Sequence, residues 1–295
     1  MASLNNSQLG KESLYPEQYD KSVLFRIDRT ENRIRYGIDP ENLPFKGVDV
    51  WNAYEISFLT DNGLPVSRVM KMKYDAASPY LVESKSLKLY LNSFNMEKCG
   101  RSQHDAEKKV KMLIQKNLTD LLETPVEVSF FSDSDQKRFA FQNYQELKQL
   151  VPEDSLDAIE FTHFLETPEL LHGKRTQTIR NYVFRSDLLR SNCPVTNQPD
   201  WGDLFVKMDC RYDVDLKSVV AYLVSFRKEN HFHEEVAEMI FKRFTDVFQP
   251  ASLMVAAMYT RRGGIDINPV RATDESLIEE AFTDMSKRLG KTLRQ

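Results

Sequence analysis

The stretch 82–94 (VESKSLKLYLNSF) repeats without gaps at 214–226 (VDLKSVVAYLVSF). The pairs Val82/Val214, Lys85/Lys217, Ser86/Ser218, Tyr90/Tyr222, Leu91/Leu223, Ser93/Ser225 and Phe94/Phe226 are identical. Such duplication constrains architecture more than any local propensity, because two copies of one element order predict two copies of one structural unit. The flanks repeat in kind. A hairpin is predicted before each copy: 53–60 with 66–73 around Asp61-Asn62-Gly63, then 183–191 with 204–211 around Asn197-Gln198-Pro199-Asp200. An amphipathic helix is predicted after each copy. Val110, Leu113, Ile114, Leu118 and Leu121 line one face in the first, and Val236, Met239, Ile240, Phe244 and Val247 in the second, with Pro125 and Pro250 as stop signals. Strand-like runs at 126–131 with 138–142, and at 252–260 with 265–268, close the two units. The repeated segment itself is locally ambiguous: Leu87, Leu89 and Leu91 alternate, and 219–226 is rich in β-branched and aromatic residues, so propensity favours strands there.

A chain of 295 residues with 41% hydrophobic composition has room for two cores, at roughly 100 to 200 residues per domain. Its 40 Lys+Arg against 44 Asp+Glu leave a net charge of −4, which disfavours nucleic acid as a direct ligand. No run reaches the roughly 18 to 20 apolar residues of a membrane span, and the first residues lack the apolar core of a secretory signal, so a cytoplasmic protein is expected. Cys99, Cys193 and Cys210 are too few for a disulfide framework and have no zinc spacing, so each thiol is read singly.

Four groups of residues could carry chemistry. Cys193 lies in SNCPVTNQPDWGD (191–203), among polar residues and close to Asp200. A thiolate nucleophile needs local polarity and a nearby acid, and Asp200 supplies the acid if the chain folds it back; otherwise Cys193 is an inert thiol and Asp200 a turn residue. The His-x-His of HFHEE (231–235) invites a metal reading but lacks a third ligand, so no metal is expected. There Glu234 is either a first-turn acid or an acceptor for two N–H donors of a guanine-like edge, with Phe232 stacking on the base. Glu83-Ser84-Lys85-Ser86 keeps a Glu-Ser pair that the second copy lacks, whereas only the second unit has a Cys in its hairpin, which suggests one composite site across both units. Arg261-Arg262-Gly263-Gly264 reads as a phosphate clamp or simply a charged turn.

Together, LPFKGVDVWNAYE (43–55), VESKSLKLYLNSF, SNCPVTNQPDWG (191–202), FHEE (232–235) and YTRRGGIDINP (259–269) resemble the NADPH-dependent 7-cyano-7-deazaguanine reductases of the queuosine pathway, in their two-module form. The resemblance implies an α+β fold of two tandem tunnelling-fold modules, each a four-stranded antiparallel sheet with two helices, and helices for the repeated segment. The implied organisation is an N-terminal extension over 1–45, module 1 over 46–142, a connector over 143–180 and module 2 over 181–295. It implies Cys193 as the nucleophile forming a thioimide with the nitrile and Asp200 as general acid and base. Val82, Glu83, Ser84, His233 and Glu234 match substrate contacts, beside Phe232 from the reading above, and Ser84, Lys85, Arg262 and Gly263 match NADPH contacts. Family analogy implies a homodimer. Two rival readings are a zinc-dependent cyclohydrolase of the same superfamily and a non-catalytic purine-binding protein.

Overall fold

The computed structural model describes residues 15–295, so residues 1–14 of the expected extension lie outside the described residues. The first half runs β1 (Arg26–Asp28), α1 (Thr30–Arg35), β2 (Lys46–Leu59), β3 (Pro65–Asp75), β4 (Tyr80–Val82), α2 (Ser84–Asn92), α3 (Gln103–Leu122) and β5 (Val126–Phe131). Short elements follow: β6 (Lys137–Arg138), β7 (Gln145–Glu146) and α4 (Glu153–Asp157). The second half runs β8 (Gly173–Ser186), β9 (Arg190–Asn192), β10 (Pro199–Val214), α5 (Leu216–Ser225), α6 (His233–Phe248), β11 (Ser252–Tyr259) and β12 (Ile265–Ala272), then α7 (Glu280–Thr283) and β13 (Arg288–Leu289).

One mixed α+β architecture results. A continuous sheet has the order β5-β3-β2-β12-β11-β10-β8-β7, with β9 attached to β10. Its pairings are antiparallel except the short β7–β8 contact. The halves meet at the β2–β12 seam, from Ile265 opposite Ala53 to Ala272 opposite Lys46.

The duplication is realised residue by residue. Glu83 caps α2 by accepting from the Ser86 amide (2.6 Å), and Asp215 caps α5 by accepting from the Lys217 amide (2.9 Å). Ser86 and Ser218 each donate to the carbonyl of their capping residue, and Ser93 and Ser225 to those of Tyr90 and Tyr222. Tyr90 and Phe94 pack edge-to-face at 5.4 Å, Tyr222 and Phe226 at 5.3 Å. Caps and these buried rings outweigh the strand propensity, so the repeated segment is helical in both copies.

Three apolar clusters hold the layers. On the helix-covered face, Trp51, Phe58, Leu87 and Leu118 belong to the first-half core, and Met208, Tyr222, Met239 and Phe244 to the second. On the opposite face Phe141, Tyr144, Phe282 and Leu289 fold over Val50, Phe205, Met254 and Ala256. Every residue of β12 is consequently buried, as expected of a strand covered on both sides.

Three boundaries differ from the sequence expectation. The run 138–142 does not join the sheet, so the first half contributes three strands to it rather than four; Lys137–Arg138 instead pairs in parallel with Arg288–Leu289, and Phe141 is drawn onto the apolar face. β8 starts at Gly173, inside the expected connector, because β10 is long enough to pair with it past a bulge at Cys210/Tyr212. Pro199 and Asp200 are strand residues rather than turn residues, opposite Asn192 and Ser191. No helix of the described residues is long and apolar enough to cross a membrane.

Candidate active site

The β9–β10 ladder brings Cys193 and Asp200 together. The chain reverses between Cys193 and Gln198, with the Cys193 amide donating to Gln198 O (2.9 Å) and the Asn197 amide to Cys193 O (3.1 Å). Asn197 takes a left-handed conformation at φ 54°, which its short polar side chain tolerates. Both Cys193 and Asp200 are buried. Asp200 Oδ1 accepts from Arg262 Nη1 at 2.7 Å, and its Oδ2 lies 3.4 Å from His233 Nε2. The His233 ring stacks on Tyr259 at 3.8 Å and 7°. A buried thiol, an acid held by two cationic or donor groups, and an aromatic platform thus share one place.

Glu234 follows on the first turn of α6, at a helix N-terminus that favours a carboxylate. Burial, helped by the charge of Asp49, nevertheless pushes its carboxyl up to about 8, against the pull of Arg29 and Arg271. Its Oε1 has no hydrogen-bond partner, nor has His233 Nδ1, nor, beyond each other, have Ser191 Oγ and the Tyr259 hydroxyl, all of them buried. A cluster of unmet buried polar atoms marks a place where ligand atoms can be received. Phe232 is half-buried just before α6, its amide donating to Glu235 Oε2.

The turn 260–264 brings in the first half. Gly263 and Gly264 have φ of 60° and 79°, conformations that favour glycine. A Cβ on Gly263 would sit 3.7 Å from Lys88 of α2, and one on Gly264 would collide with Glu55, so the turn lies directly on the first half. The two arginines go to different partners: Arg262 turns to Asp200, whereas Arg261 lies over the Tyr54 ring at 4.2 Å. Val82, Glu83, Ser84 and Lys85 lie at the β4–α2 junction of the same half, Val82 and Glu83 buried and Ser84 and Lys85 half-buried. A cleft of about 460 Å³ lined by Lys73, Tyr74, Glu127 and Glu275 contains none of these predicted site residues.

The two imidazoles of the His-x-His go to different partners. His231 is buried between Glu229 (2.9 Å), Glu235 (3.3 Å) and the Tyr36 hydroxyl (2.9 Å). Burial opposes its charge, but the two carboxylates outweigh that and push it up from 6.5 to about 9. A raised folded-state pKa gives stability that is full below the ordinary value and lost as pH rises through about 9. Unfolding free energy is therefore expected to fall by on the order of 3 kcal/mol between about pH 6.5 and 9, read as a drop in thermal midpoint, and His231→Gln to remove that part of the slope. Parallel curves for the two proteins across that window would show that His231 is not the group responsible.

Two family descriptions match the chain: "Nitrile reductase, 7-cyano-7-deazaguanine-reductase N-term" over 15–130 and "QueF-like protein" over 199–277. A protein of Bordetella avium (strain 197N), named NADPH-dependent 7-cyano-7-deazaguanine reductase, is 40% identical over 269 residues, covering 91% of this chain and 94% of the relative. The chain belongs to the 7-cyano-7-deazaguanine reductase family. Proteins of the same name from Ralstonia nicotianae (strain ATCC BAA-1114 / GMI1000) and Hydrogenovibrio crunogenus (strain DSM 25203 / XCL-2) are 40% and 37% identical, covering 92% and 95% of this chain and 94% and 96% of their own lengths. A solved structure described as the archaeosine synthase QueF-Like in the apo form is similar at 18% identity and a TM-score of 0.29, over 33% of this chain and 95% of that one.

In this member of the reductase family, sequence reasoning missed the charged cluster behind Glu234. Arg29 donates to Asp49 at 2.5 Å and Arg271 to Asp49 at 2.8 Å. Glu238 accepts from Arg33 and Arg271, each at 2.9 Å, with Arg29 at 3.4 Å. All five are buried. Arg29 also donates to Tyr80 O of β4, two residues before the Val82-Glu83 step, and so links the α2 motif to the Glu234 side of the seam. The available signal was a charge inside an apolar strand run, Asp49 in GVDVW and Arg271 in NPVRA.

Proposed function

We propose that this chain reduces the nitrile of 7-cyano-7-deazaguanine to the aminomethyl group of 7-aminomethyl-7-deazaguanine, a step of queuosine synthesis, through a covalent thioimide on Cys193. The observation that carries the mechanism is a buried Cys193 at the end of the β9–β10 ladder that holds Asp200, whose carboxylate is in turn held by Arg262 and His233. The thiol sulfur bonds the nitrile carbon while the nitrogen receives, by way of Asp200, the proton the thiol loses. NADPH supplies hydride, and each of two hydrides needs one further proton on nitrogen, so Asp200 must be reloaded between them. The S–C bond breaks after the first reduction, returning a proton to the thiol. Holding the carbon on sulfur until then, and the released imine in a buried site afterwards, keeps both from water.

The residues present suit a phosphate-bearing cofactor: the turn 260–264 combines two left-handed glycines with the partly exposed Arg262, and Lys88 lies against it. Ser84, Lys85, Arg262 and Gly263 would hold it. Arg262 has five donors, so its bond to Asp200 leaves others for a phosphate. Val82, Glu83, Ser84, Phe232, His233 and Glu234 would surround the substrate, with Glu234 on the N1 and 2-amino edge. In this reading the two halves are tandem tunnelling-fold modules, the second beginning with β8 at Gly173, and the enzyme is a homodimer whose sheets join at their free edges.

The direct test mixes protein, 7-cyano-7-deazaguanine and NADPH and follows reduced-nicotinamide absorbance together with product. Two NADPH per aminomethyl product are expected, with NADH a poor substitute; one per product, ending at imine or aldehyde, would sink the reading. Ionised Glu234 is the form that accepts from N1–H and the 2-amino group. Substrate affinity is therefore expected to rise with pH up to about 8 and level off above it. Glu234→Gln should flatten this rise, and Glu83→Ala should weaken binding while leaving the rise in place. Titrations of both variants from pH 6 to 9 check it, and an unchanged affinity in Glu83→Ala would remove the first half from the site.

A further inference from the structure

The active site contains a hydroxyl pair to which the mechanism above gives no task. Tyr259 is the last residue of β11, with Gly202 of β10 opposite it. A Cβ at Gly202 would come within 3.1 Å of the Tyr259 ring, so glycine is what lets that ring lie flat against the strand. His233 covers the ring from the other side at 3.8 Å. Ser191 stands opposite Asp200 in the β9–β10 ladder, and its side chain lies against the Tyr259 hydroxyl. Both residues are fully buried, and beyond each other neither oxygen has a hydrogen-bond partner. A pair that shares one bond leaves one buried donor unmet, a cost that a bound acceptor would recover.

Their position says which acceptor. Tyr259 lies under His233, which reaches Asp200 at 3.4 Å and immediately precedes Glu234 on α6, so the ring stands between the two carboxylates. On the substrate reading above, Glu234 takes the N1–H and 2-amino edge, whereas Cys193 and Asp200 take the nitrile. Around a 7-cyano-7-deazaguanine ring the order is 2-amino, N1–H, 6-oxo, nitrile. A protein group between Glu234 and Asp200 therefore meets the 6-oxo oxygen, which only accepts. We infer that the Tyr259 hydroxyl, steadied by Ser191, donates to the 6-oxo group of the substrate and so selects a 6-oxo base. Burial and the neighbouring carboxylates push the phenol further up from its ordinary value near 10, which keeps the proton available for donation.

This inference rests on the nitrile-reductase reading, and the test separates the two. Adduct formation without NADPH is followed by intact-protein mass spectrometry over a range of concentrations of 7-cyano-7-deazaguanine and of its 6-thioxo analogue. The analogue keeps N1–H and the 2-amino group for Glu234 and changes only the acceptor. The native protein should half-saturate at about tenfold lower concentration with the oxo compound. Tyr259→Phe should lose about tenfold on the oxo compound and treat the two nearly alike, and Ser191→Ala should shrink the ratio in the same direction. A Tyr259→Phe or Ser191→Ala protein that keeps the native oxo-to-thioxo ratio overturns the role of the pair. A native protein that forms no adduct with the oxo compound overturns the reading beneath it.

Discussion

Replacing Cys193 by alanine is expected to abolish both turnover and the covalent adduct, with activity falling by about four orders of magnitude or more. Cys99→Ala and Cys210→Ala should retain both. The reason lies in their surroundings: burial pushes the Cys99 and Cys210 thiols up, and each only points at a backbone carbonyl, Glu97 O at 3.5 Å and Tyr212 O at 3.6 Å. The carboxylates near them, Glu97 and Asp61 at Cys99 and Asp209 at Cys210, add to that rise, so neither thiol is set up as a nucleophile. Asp200→Asn should keep the fold, since an amide can still accept from Arg262, but slow adduct formation and reduction by roughly 10²-fold or more because it carries no exchangeable acid proton. Intact-protein mass spectrometry with peptide mapping settles the matter: an adduct that persists in Cys193→Ala, or maps to another thiol, means the nucleophile has been misassigned.

Glu238→Gln is expected to be the most damaging single change to stability. The carboxylate serves Arg33, Arg271 and Arg29, and these guanidiniums outweigh burial and hold it below its usual range. Without its charge, Arg29 and Arg271 share the carboxylate of Asp49, and Arg33 is left bonded to the Ala76 carbonyl. Breaking a buried ion network by removing one partner costs about 3–5 kcal/mol, which in a chain of this size lowers the thermal midpoint by on the order of 10 °C. Lys116→Ala is the control, because its partner Asp120 lies on the exposed face of α3 and the pair is open to solvent. Differential scanning calorimetry of both variants checks this; a Glu238→Gln protein that melts with the control would mean that the cluster is held by shape rather than by charge. Because Glu238 joins Arg29 and Arg33 to Arg271 beyond the seam, and Asp49 of β2 joins Arg29 to Arg271, the same variant should also loosen the Glu234 side of the site.

The segments beside the repeat show how far local information reaches. The cap-serine-tyrosine-phenylalanine pattern of 82–94 and 214–226 was visible as identity, yet its helical state was not readable from propensity. Alternating leucines fit a strand as well as a helix until Tyr90 and Tyr222 have a sheet to pack on. The run 138–142 had strand character, and its Phe141 found a better partner in Phe205, stacked at 4.6 Å on the far side of the sheet. No window of sequence contains that alternative, since the two residues meet only when the connector crosses the sheet.

The duplicated order of elements, the closeness of Cys193 to Asp200 and the acidic start of α6 were determined by the sequence itself, because each depends on residues near one another along the chain. Hairpin reversal, helix capping and apolar periodicity are short-range physics. Tertiary structure alone decided that Arg262 reaches Asp200 while Arg261 goes to Tyr54, that Tyr259 lies beneath His233, and that Glu234 stands before a buried cluster built from Arg29, Asp49, Glu238 and Arg271. These contacts join positions far apart in the chain, and they strengthen only once β2 and β12 have paired and closed the seam to water, which lowers the local dielectric.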